Sequence, residues 1–363
     1  MLRIFSPMDG AILNRRDGVE TEKGLEIEVR GTAYSRATVM VNGLPARVSG
    51  DSFTCKLPLR SRTTLIKAEA EWHDQKTPDS VTVLYDKNSF RRYRMSLDDN
   101  IEFLEDIALN ARRYRSIFDN PYLGFWREMN QRYGMKLHIN IYYEKPSGFN
   151  LTRMPDTFKN EWRENAHWLK MRFHARANDP NRPYLSAPYE KVAREFEMVE
   201  NEQIRFAGEE SRGDFTTIHW GEATREGCQA VRDRGIRGLP GYFVRQNDQW
   251  AVSYYLDGRQ AEHMSQHDAW KDSAMNLFFI RHAIVINTVK LPDIPAHMQK
   301  VMAMPHASEI LELMIHEQYF YPWYAAYIPE FRERVSATLE WVTTHGYRPV
   351  HYEEGFLGNP SSF

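Results

Sequence analysis

Cysteine is scarce in this 363-residue chain, which contains only Cys55 and Cys228. The two are far apart and form no Cys-x-x-Cys pair, so the sequence excludes a thiolate zinc site and a framework of disulfide bonds. Long hydrophobic runs are also lacking, because no segment approaches the length of a membrane span and the first ten residues do not resemble a secretory signal. We therefore expect no membrane partner and a cytoplasmic location, with a trimmed secreted form left open.

An excess of charge of either sign is lacking as well. The chain has 47 Lys and Arg residues against 49 Asp and Glu residues, which gives a formal net charge of -2. Such a balance creates no field that would attract a polyanion, so we expect no nucleic-acid partner. The motifs Gly-x-x-x-x-Gly-Lys and Gly-x-Gly-x-x-Gly are absent, which argues against binding of nucleotide phosphates.

Aromatic residues, by contrast, are plentiful. They make up 13% of the chain, with 9 Trp and 19 Tyr, and many of them fall outside periodic apolar runs. Aromatic faces stack on the apolar faces of sugars, so this enrichment suits a site for polar, ring-shaped ligands. Filling of a large core explains it equally well, and the composition does not choose between the two. The length itself predicts one large domain and one smaller domain.

Residues 1–86 have the pattern of short strands separated by turns. Apolar and polar residues alternate with period two over residues 25–30, 37–41 and 64–68, and Asn42-Gly43 is a hairpin turn signal. The spacing predicts a small antiparallel β-sandwich, which resembles the immunoglobulin-like accessory modules of carbohydrate-active enzymes. Such a module binds glycan, sets domain spacing or caps the larger domain.

Residues 87–363 have a different pattern, in which strands alternate with helices. The predicted strands cover residues 92–97, 135–143, 168–174, 216–220, 236–243, 276–287 and 310–316. The predicted helices cover residues 101–108, 121–132, 188–206, 222–234, 294–302 and 331–345. Repeated β-then-α units indicate a parallel sheet, and this many indicate an α/β barrel or near-barrel whose site lies at the C-terminal strand ends. The polar residues at those ends are Asp98, Asp99, His174, His219 and His316.

These motifs carry a resemblance to a known family. Ser96-Leu97-Asp98-Asp99-Asn100, then residues 133–143, then a strand that ends at His174, resemble the polysaccharide deacetylase family with its NodB-type domain over about residues 90–347. The resemblance implies a distorted seven-stranded (β/α) barrel that removes N- or O-acyl groups from a carbohydrate with a divalent metal ion, for which zinc is expected.

The resemblance also implies roles for individual residues. Asp98 corresponds to the general base and Asp99 to a metal ligand, while Asn100 replaces the family's glycine and is expected to keep the left-handed turn. His174 corresponds to a second ligand. Asn178 stands where the family has a further histidine, and it is either a weaker ligand or only a turn residue.

The later motifs complete the predicted site. Residues 219–224 match the third motif without its arginine, whose place is taken by His219 or Arg225. Backbone N–H groups near this strand end are expected to face the oxyanion, and His316 corresponds to the general acid. The predicted substrate and oxyanion residues are His219, Trp220, Gly221, Glu222 and Tyr319.

The predicted chemistry requires a metal ion to polarise a carbonyl, a carboxylate to take a proton from water and an acid for the leaving group. Two alternatives stay open. The missing family residues fit a carbohydrate-binding protein without activity. A hydrolase of another C–N or glycosidic bond would fit if Asp98 and Glu222 lay at the separation found in glycosidases.

Overall fold

The structure is a computed structural model that describes residues 2–73 and 75–363. Its strands are β1 (Arg3–Ser6), β2 (Ile12–Leu13), β3 (Gly18–Thr21), β4 (Gly24–Thr32), β5 (Thr38–Val41), β6 (Leu44–Pro45), β7 (Arg47–Ser49), β8 (Ser52–Leu59), β9 (Thr63–Trp72), β10 (Gln75–Tyr85), β11 (Arg92–Asn100), β12 (Leu137–Tyr142), β13 (Leu169–Ala175), β14 (Gly238–Gly241), β15 (Val244–Gln246), β16 (Gln249–Ala251), β17 (Ala269–Asp272), β18 (Leu277–Val285), β19 (Ile310–His316) and β20 (Arg348–Pro349).

The helices are α1 (Glu102–Asn110), α2 (Pro121–Tyr133), α3 (Lys159–Asn165), α4 (Tyr189–Ala207), α5 (Arg225–Arg232), α6 (Gly258–Gln266), α7 (Ile294–Met302) and α8 (Phe331–Thr344). None of the helices in the described part of the chain is both long enough and apolar enough to cross a membrane.

The chain divides into two compact units. The first contains Met1–Phe90 together with Ala269–Asn276 and Glu354–Phe363, and the second contains Arg91–Asp268 and Leu277–Glu353. The first unit therefore includes two later segments that the sequence analysis placed in the second domain.

The first unit is built from two five-stranded sheets. One has the order β1-β4-β8-β7 with β3 paired to β4, and the other has the order β2-β10-β9-β5-β6. Side chains alternate between buried and exposed along β4 and β8, and one hydrophobic core draws on both sheets, including Val29, Phe53 and Ile66. The period-two pattern of the sequence therefore produces a β-sandwich, because each strand turns one face to this core.

The predicted hairpin turn at Asn42-Gly43 is confirmed. Both residues have positive φ angles, 46° and 79°, and they join β5 to β6 with Val41 paired to Leu44. This is the backbone of a type I′ turn, which asparagine and glycine accept more readily than other residues.

The second unit contains a curled sheet with the strand path β13-β12-β11-β19-β18-β14. Neighbouring strands on this path are parallel, and their register places Asp98 opposite His316. Parallel strands have their C-terminal ends at the same edge of the sheet. Residues far apart in sequence, such as Asp98 and His316, therefore meet there.

The predicted strand over residues 216–220 is wrong. Residues 212–218 instead make isolated parallel bridges, Met171 with Arg212 and Phe215 with Gly238, and residues His219–Gly221 form a 3₁₀ turn. The segment thus lies between β13 and β14 without a continuous ladder.

Most other predicted elements agree with the structure. The predicted helix 294–302 and strand 310–316 coincide with α7 and β19. Helix α2 ends at Gly134, which has φ 64° as a left-handed C-cap, while α5 is shorter than the predicted helix 222–234. Both cysteines are free and buried.

A buried ion pair lies between the central strands of the second unit. Arg94 of β11 donates from Nε and Nη2 to the Glu312 carboxylate of β19, at 3.0 and 2.8 Å, and both side chains are fully buried. Removing one partner of such a pair leaves an uncompensated charge in the interior.

Candidate active site

Strand β11 has a local irregularity at Asp99, just before its last residue. Asp99 has φ 63°, and the pairing of β11 with β12 is irregular between Leu97 and Asn100. Aspartate tolerates this left-handed conformation better than most residues. The sequence analysis expected the left-handed residue to be Asn100, which does not occur among the described residues with positive φ. Instead, buried Asn100 donates from Nδ2 to the Asn140 carbonyl at 3.1 Å.

Asp99, His174 and His219 bring three ligand atoms together. His174 Nε2 lies 3.0 Å from Asp99 Oδ1, and His219 Nδ1 lies 3.2 Å from the same oxygen and 3.0 Å from His174 Nε2. The two histidines are buried and the Asp99 side chain is 12% exposed. The structure therefore assembles a possible metal site of one carboxylate and two imidazoles.

The donor set fits a divalent cation. His174 Nδ1 faces the Thr217 carbonyl at 2.6 Å, and because a carbonyl only accepts, this nitrogen carries a proton. Nε2 is thus the nitrogen that would coordinate a cation in the neutral ring, and it donates to Asp99 when it carries a proton. A metal-binding histidine commonly donates its other N–H in this way. Ligands about 2.0–2.1 Å from an ion stand about 3.0 Å apart in octahedral geometry and about 3.3–3.4 Å apart in tetrahedral geometry. The three separations match that range.

The sequence analysis did not find two further contacts of Asp99. The Tyr142 hydroxyl donates to Asp99 Oδ1, and Gln318 Nε2 donates to Asp99 Oδ2 at 2.8 Å. Burial would raise the pKa of Asp99, but hydrogen bonds from His174 and His219 and the nearby His316 outweigh it and hold the pKa well below its usual range. Asp99 is thus kept as a carboxylate.

Asp98 lies beside this group in a drier environment. It is 3% exposed and accepts a hydrogen bond from Asn140 Nδ2 at 2.6 Å. Burial raises the pKa of Asp98 well above its ordinary value, and the neighbouring Asp99 carboxylate adds to the rise although the Asn140 bond opposes it. The two adjacent carboxylates therefore differ strongly in their affinity for a proton.

His316 faces the same carboxylate from β19. Its Nε2 lies 4.0 Å from Asp99 Oδ2, and its Nδ1 lies 2.9 Å from Asn287 Oδ1. Because an amide oxygen only accepts, Nδ1 carries a proton, and Nε2 is the nitrogen that faces Asp99. Burial lowers the pKa of His316, and the Asp99 charge partly offsets that effect.

These residues line a cavity of about 480 Å³. Its walls include aromatic and amide side chains together with a few apolar ones, and Trp220 is 44% exposed at φ 67°. The cavity residues that the sequence analysis named are Asp98, Asp99, His174, Asn178, His219, Trp220, Gly221, His316 and Tyr319. The cavity residues that it missed include Thr217, Tyr242, Asn287, Gln318 and Tyr324.

Some expected roles need correction. His219 was expected to face substrate, and it joins Asp99 and His174 instead. Gly221 lines the cavity, but its N–H donates to the Ile218 carbonyl at 2.7 Å and is not available to an oxyanion. Glu222 does not occur among the described cavity residues and pairs with Arg182 at 3.3 Å, so it does not face Asp98 as the glycosidase alternative required.

Asn178 lies at the edge of the ligand group. Its Oδ1 lies 3.4 Å from the Tyr142 hydroxyl oxygen, and the same hydroxyl lies 3.1 Å from His219 Nδ1. Asn178 therefore contacts the ligand group through Tyr142. The sequence offered one signal for His219, because it followed an apolar segment in the same way as His174.

Comparison with known proteins finds no matching family model and no matching curated protein. Among solved structures, the chain is similar to Clostridium thermocellum CbhA fibronectin(III)-like modules, with 18% identity over 24% of this chain and 98% of that chain at a TM-score of 0.19. It is also similar to a Bacteroides fragilis protein to which alpha-galactosidase activity is ascribed, with 9% identity over 94% of this chain and 78% of that chain at a TM-score of 0.26.

An endo-beta-1,4-mannanase from Thermotoga petrophila matches with 15% identity over 24% of this chain and 20% of that chain, at a TM-score of 0.19. TM-scores this low establish neither a shared fold nor a function, and we interpret the cavity from its own residues.

Proposed function

We propose that the chain is a metal-dependent hydrolase that removes an N- or O-acyl group from a carbohydrate, in the manner of the polysaccharide deacetylase family. The observation that carries the proposal is the meeting of Asp99, His174 and His219 in one cavity with Asp98 and His316. In this proposal the curled sheet and residues 212–218 form a distorted seven-stranded barrel, and the first unit is an immunoglobulin-like accessory module.

The metal would be held by Asp99, His174 and His219. A divalent ion, with zinc the expected one for this ligand set, would supply polarisation of the acyl carbonyl and a lowered pKa of water. Tyr142 and Gln318 orient the Asp99 carboxylate, and Thr217 fixes the His174 tautomer.

The two proton-transfer roles fall to the groups beside the ligands. Asp98 is the general base. Its burial and the neighbouring Asp99 carboxylate raise its pKa, and a general base needs a high affinity for the proton that it takes from water. His316 is the general acid for the leaving amine or alcohol. Asn287 holds its ring through Nδ1, and Nε2 faces Asp99 at the proposed metal position. A carboxylate and an imidazole on neighbouring strands thus divide the proton transfers.

The cavity wall favours a sugar. Trp220, Tyr319 and Tyr324 present aromatic side chains at the cavity, and Gln246 and Asn287 present amides. Aromatic faces pack on the apolar faces of pyranose rings, while amides bond their hydroxyl groups.

The test is acetate release from N-acetylated and O-acetylated oligosaccharides by the zinc-loaded protein. We expect Asp98→Asn to lose at least about a hundredfold in kcat, which is the contribution of a positioned base, while zinc content is retained. The matched control is Asp51→Asn, at an exposed position of the first unit, which should behave as wild type. Unchanged activity in Asp98→Asn would remove the assigned base, and glycan binding without metal or turnover would favour the binding-protein alternative.

A further inference from the structure

The segment of residues 317–324 separates two hollows in the second unit. Gln318, Tyr319 and Tyr324 line the catalytic cavity, whereas Phe320, Tyr321 and Trp323 line a neighbouring pocket of about 350 Å³. The proposed reaction uses none of the residues of the second pocket.

An exposed aromatic platform forms one side of this pocket. The Trp323 side chain is 63% exposed, and its ring stacks on Tyr321 with centroids 5.3 Å apart and planes 17° apart. One indole face is therefore covered by Tyr321, and the high exposure leaves the other available to a ligand. Large apolar groups that remain exposed in this way commonly mark binding sites.

Hydrogen bonds fix the position of Tyr321 in the platform. The Tyr321 hydroxyl donates to Glu317 Oε1 at 2.6 Å. The fully buried Glu317 carboxylate also accepts the backbone N–H groups of Ile101, Glu102 and Phe103 at 2.6, 2.9 and 2.7 Å, at the start of α1. A platform that is ordered before binding loses little conformational entropy when a ligand stacks on it.

The acidic residues of the lining supply hydrogen-bond acceptors. Lys145 already binds Glu102 and Glu105, and Asp106 Oδ2 accepts from Tyr114 and Asn120 at 2.7 Å each. Partly neutralised carboxylates next to an aromatic face are suited to the hydroxyl groups of a sugar.

The second pocket has a neighbour of the catalytic cavity in its wall. The ring centroids of Trp323 and Tyr324 are 6.4 Å apart, and Tyr324 lines the cavity. We propose that the Trp323–Tyr321 platform is a second sugar subsite, which binds a further unit of a glycan chain whose acylated unit lies in the catalytic cavity. The inference rests on the proposed function, and it makes the substrate an oligosaccharide or polysaccharide rather than a monosaccharide.

The test measures chain-length preference by calorimetry in the zinc-loaded Asp98→Asn protein, where turnover is suppressed. The probes are N-acetylglucosamine, its β-1,4-linked tetramer, acetylated xylose and acetylated xylotetraose. At least one tetramer should bind about tenfold more tightly than its monomer, which is the effect of one added aromatic stacking contact. Trp323→Ala should abolish most of that gain without changing the monomer affinity, and Trp323→Phe should keep part of it.

Leu185→Ala is the matched control, because Leu185 is 55% exposed and does not occur among the described residues of either pocket. The subsite is overturned if no tetramer binds more tightly than its monomer, or if Trp323→Ala weakens monomer and tetramer equally. A tetramer preference that depends on Trp323 in a protein whose wild type releases no acetate would refute the proposed hydrolase and support the subsite.

Discussion

Replacing His219 by alanine removes one of the three groups that meet at the proposed metal position. The His219 Nδ1 atom lies 3.0 Å from His174 Nε2 and 3.2 Å from Asp99 Oδ1. Asn178, which the sequence resemblance placed in the ligand set, contacts this group through Tyr142 at 3.4 Å. The structure therefore predicts that His219→Ala weakens metal binding much more than Asn178→Ala.

The size of the difference follows from the free energy of metal binding. Four-ligand structural zinc sites bind with about 10–16 kcal/mol, or about 2.5–4 kcal/mol for each ligand. At about 1.4 kcal/mol for each tenfold change, loss of His219 should raise the zinc Kd by about 10²–10³. Asn178→Ala removes one hydrogen-bond acceptor, worth about 1 kcal/mol, and should raise the Kd less than tenfold.

The assay is competition for zinc against a chromophoric chelator at one fixed pH, because ligand protonation competes with the metal. Circular dichroism of both variants checks that they are folded. Equal losses in the two variants, or a larger loss in Asn178→Ala, would refute the assignment of His219 as the third ligand.

Three further predictions concern stability, and each is measured as a free energy of unfolding in urea. Glu312→Ala should cost about 3–5 kcal/mol, because it leaves the buried Arg94 charge unpaired, whereas Glu340→Ala in an exposed pair should cost at most about 1 kcal/mol; similar costs would contradict the role of burial. His282 has no hydrogen-bond partner for either ring nitrogen among the described residues, and burial lowers its pKa from 6.5 to about 3. The unfolded chain thus binds the proton first, so His282 makes stability rise with pH between about 3 and 6.5, and His282→Leu should remove about 2 kcal/mol of the loss between pH 7 and pH 5; an unchanged pH dependence would count against it. Gly134→Ala should cost about 1 kcal/mol through backbone strain alone, since φ is 64° and the nearest atom to an added Cβ lies 3.9 Å away; a neutral effect would show that the C-cap relaxes.

The elements that could be predicted from the sequence are those whose pattern is local. The helix at 294–302 and the strand at 310–316 show their periodicity within their own residues, and α7 and β19 have those bounds. The adjacent Asp98 and Asp99 were recognisable for the same reason, because a strand that stops at two acids is visible in a few residues.

The rest depends on contacts that no short pattern contains. Residues 212–218 are positioned by single bridges to β13 and β14. The alternation of apolar and polar residues therefore did not predict their conformation. Tyr142 and Gln318 reach Asp99 across 43 and 219 residues of chain. His219 was assigned to the substrate instead of the metal because the sequence indicated a strand through residue 220, whereas a 3₁₀ turn with Trp220 at φ 67° begins at His219.

The positive φ of Asp99 has a consequence for attempts to change the metal that the site prefers. Residues other than glycine, asparagine and aspartate cost about 1–2 kcal/mol in that conformation, so a histidine, cysteine or glutamate at this position would strain the backbone while it changed the ligand. His174 and His219 do not occur among the described residues with positive φ. A softer ligand for a softer ion should therefore be introduced at position 174 or 219, with the aspartate left in place.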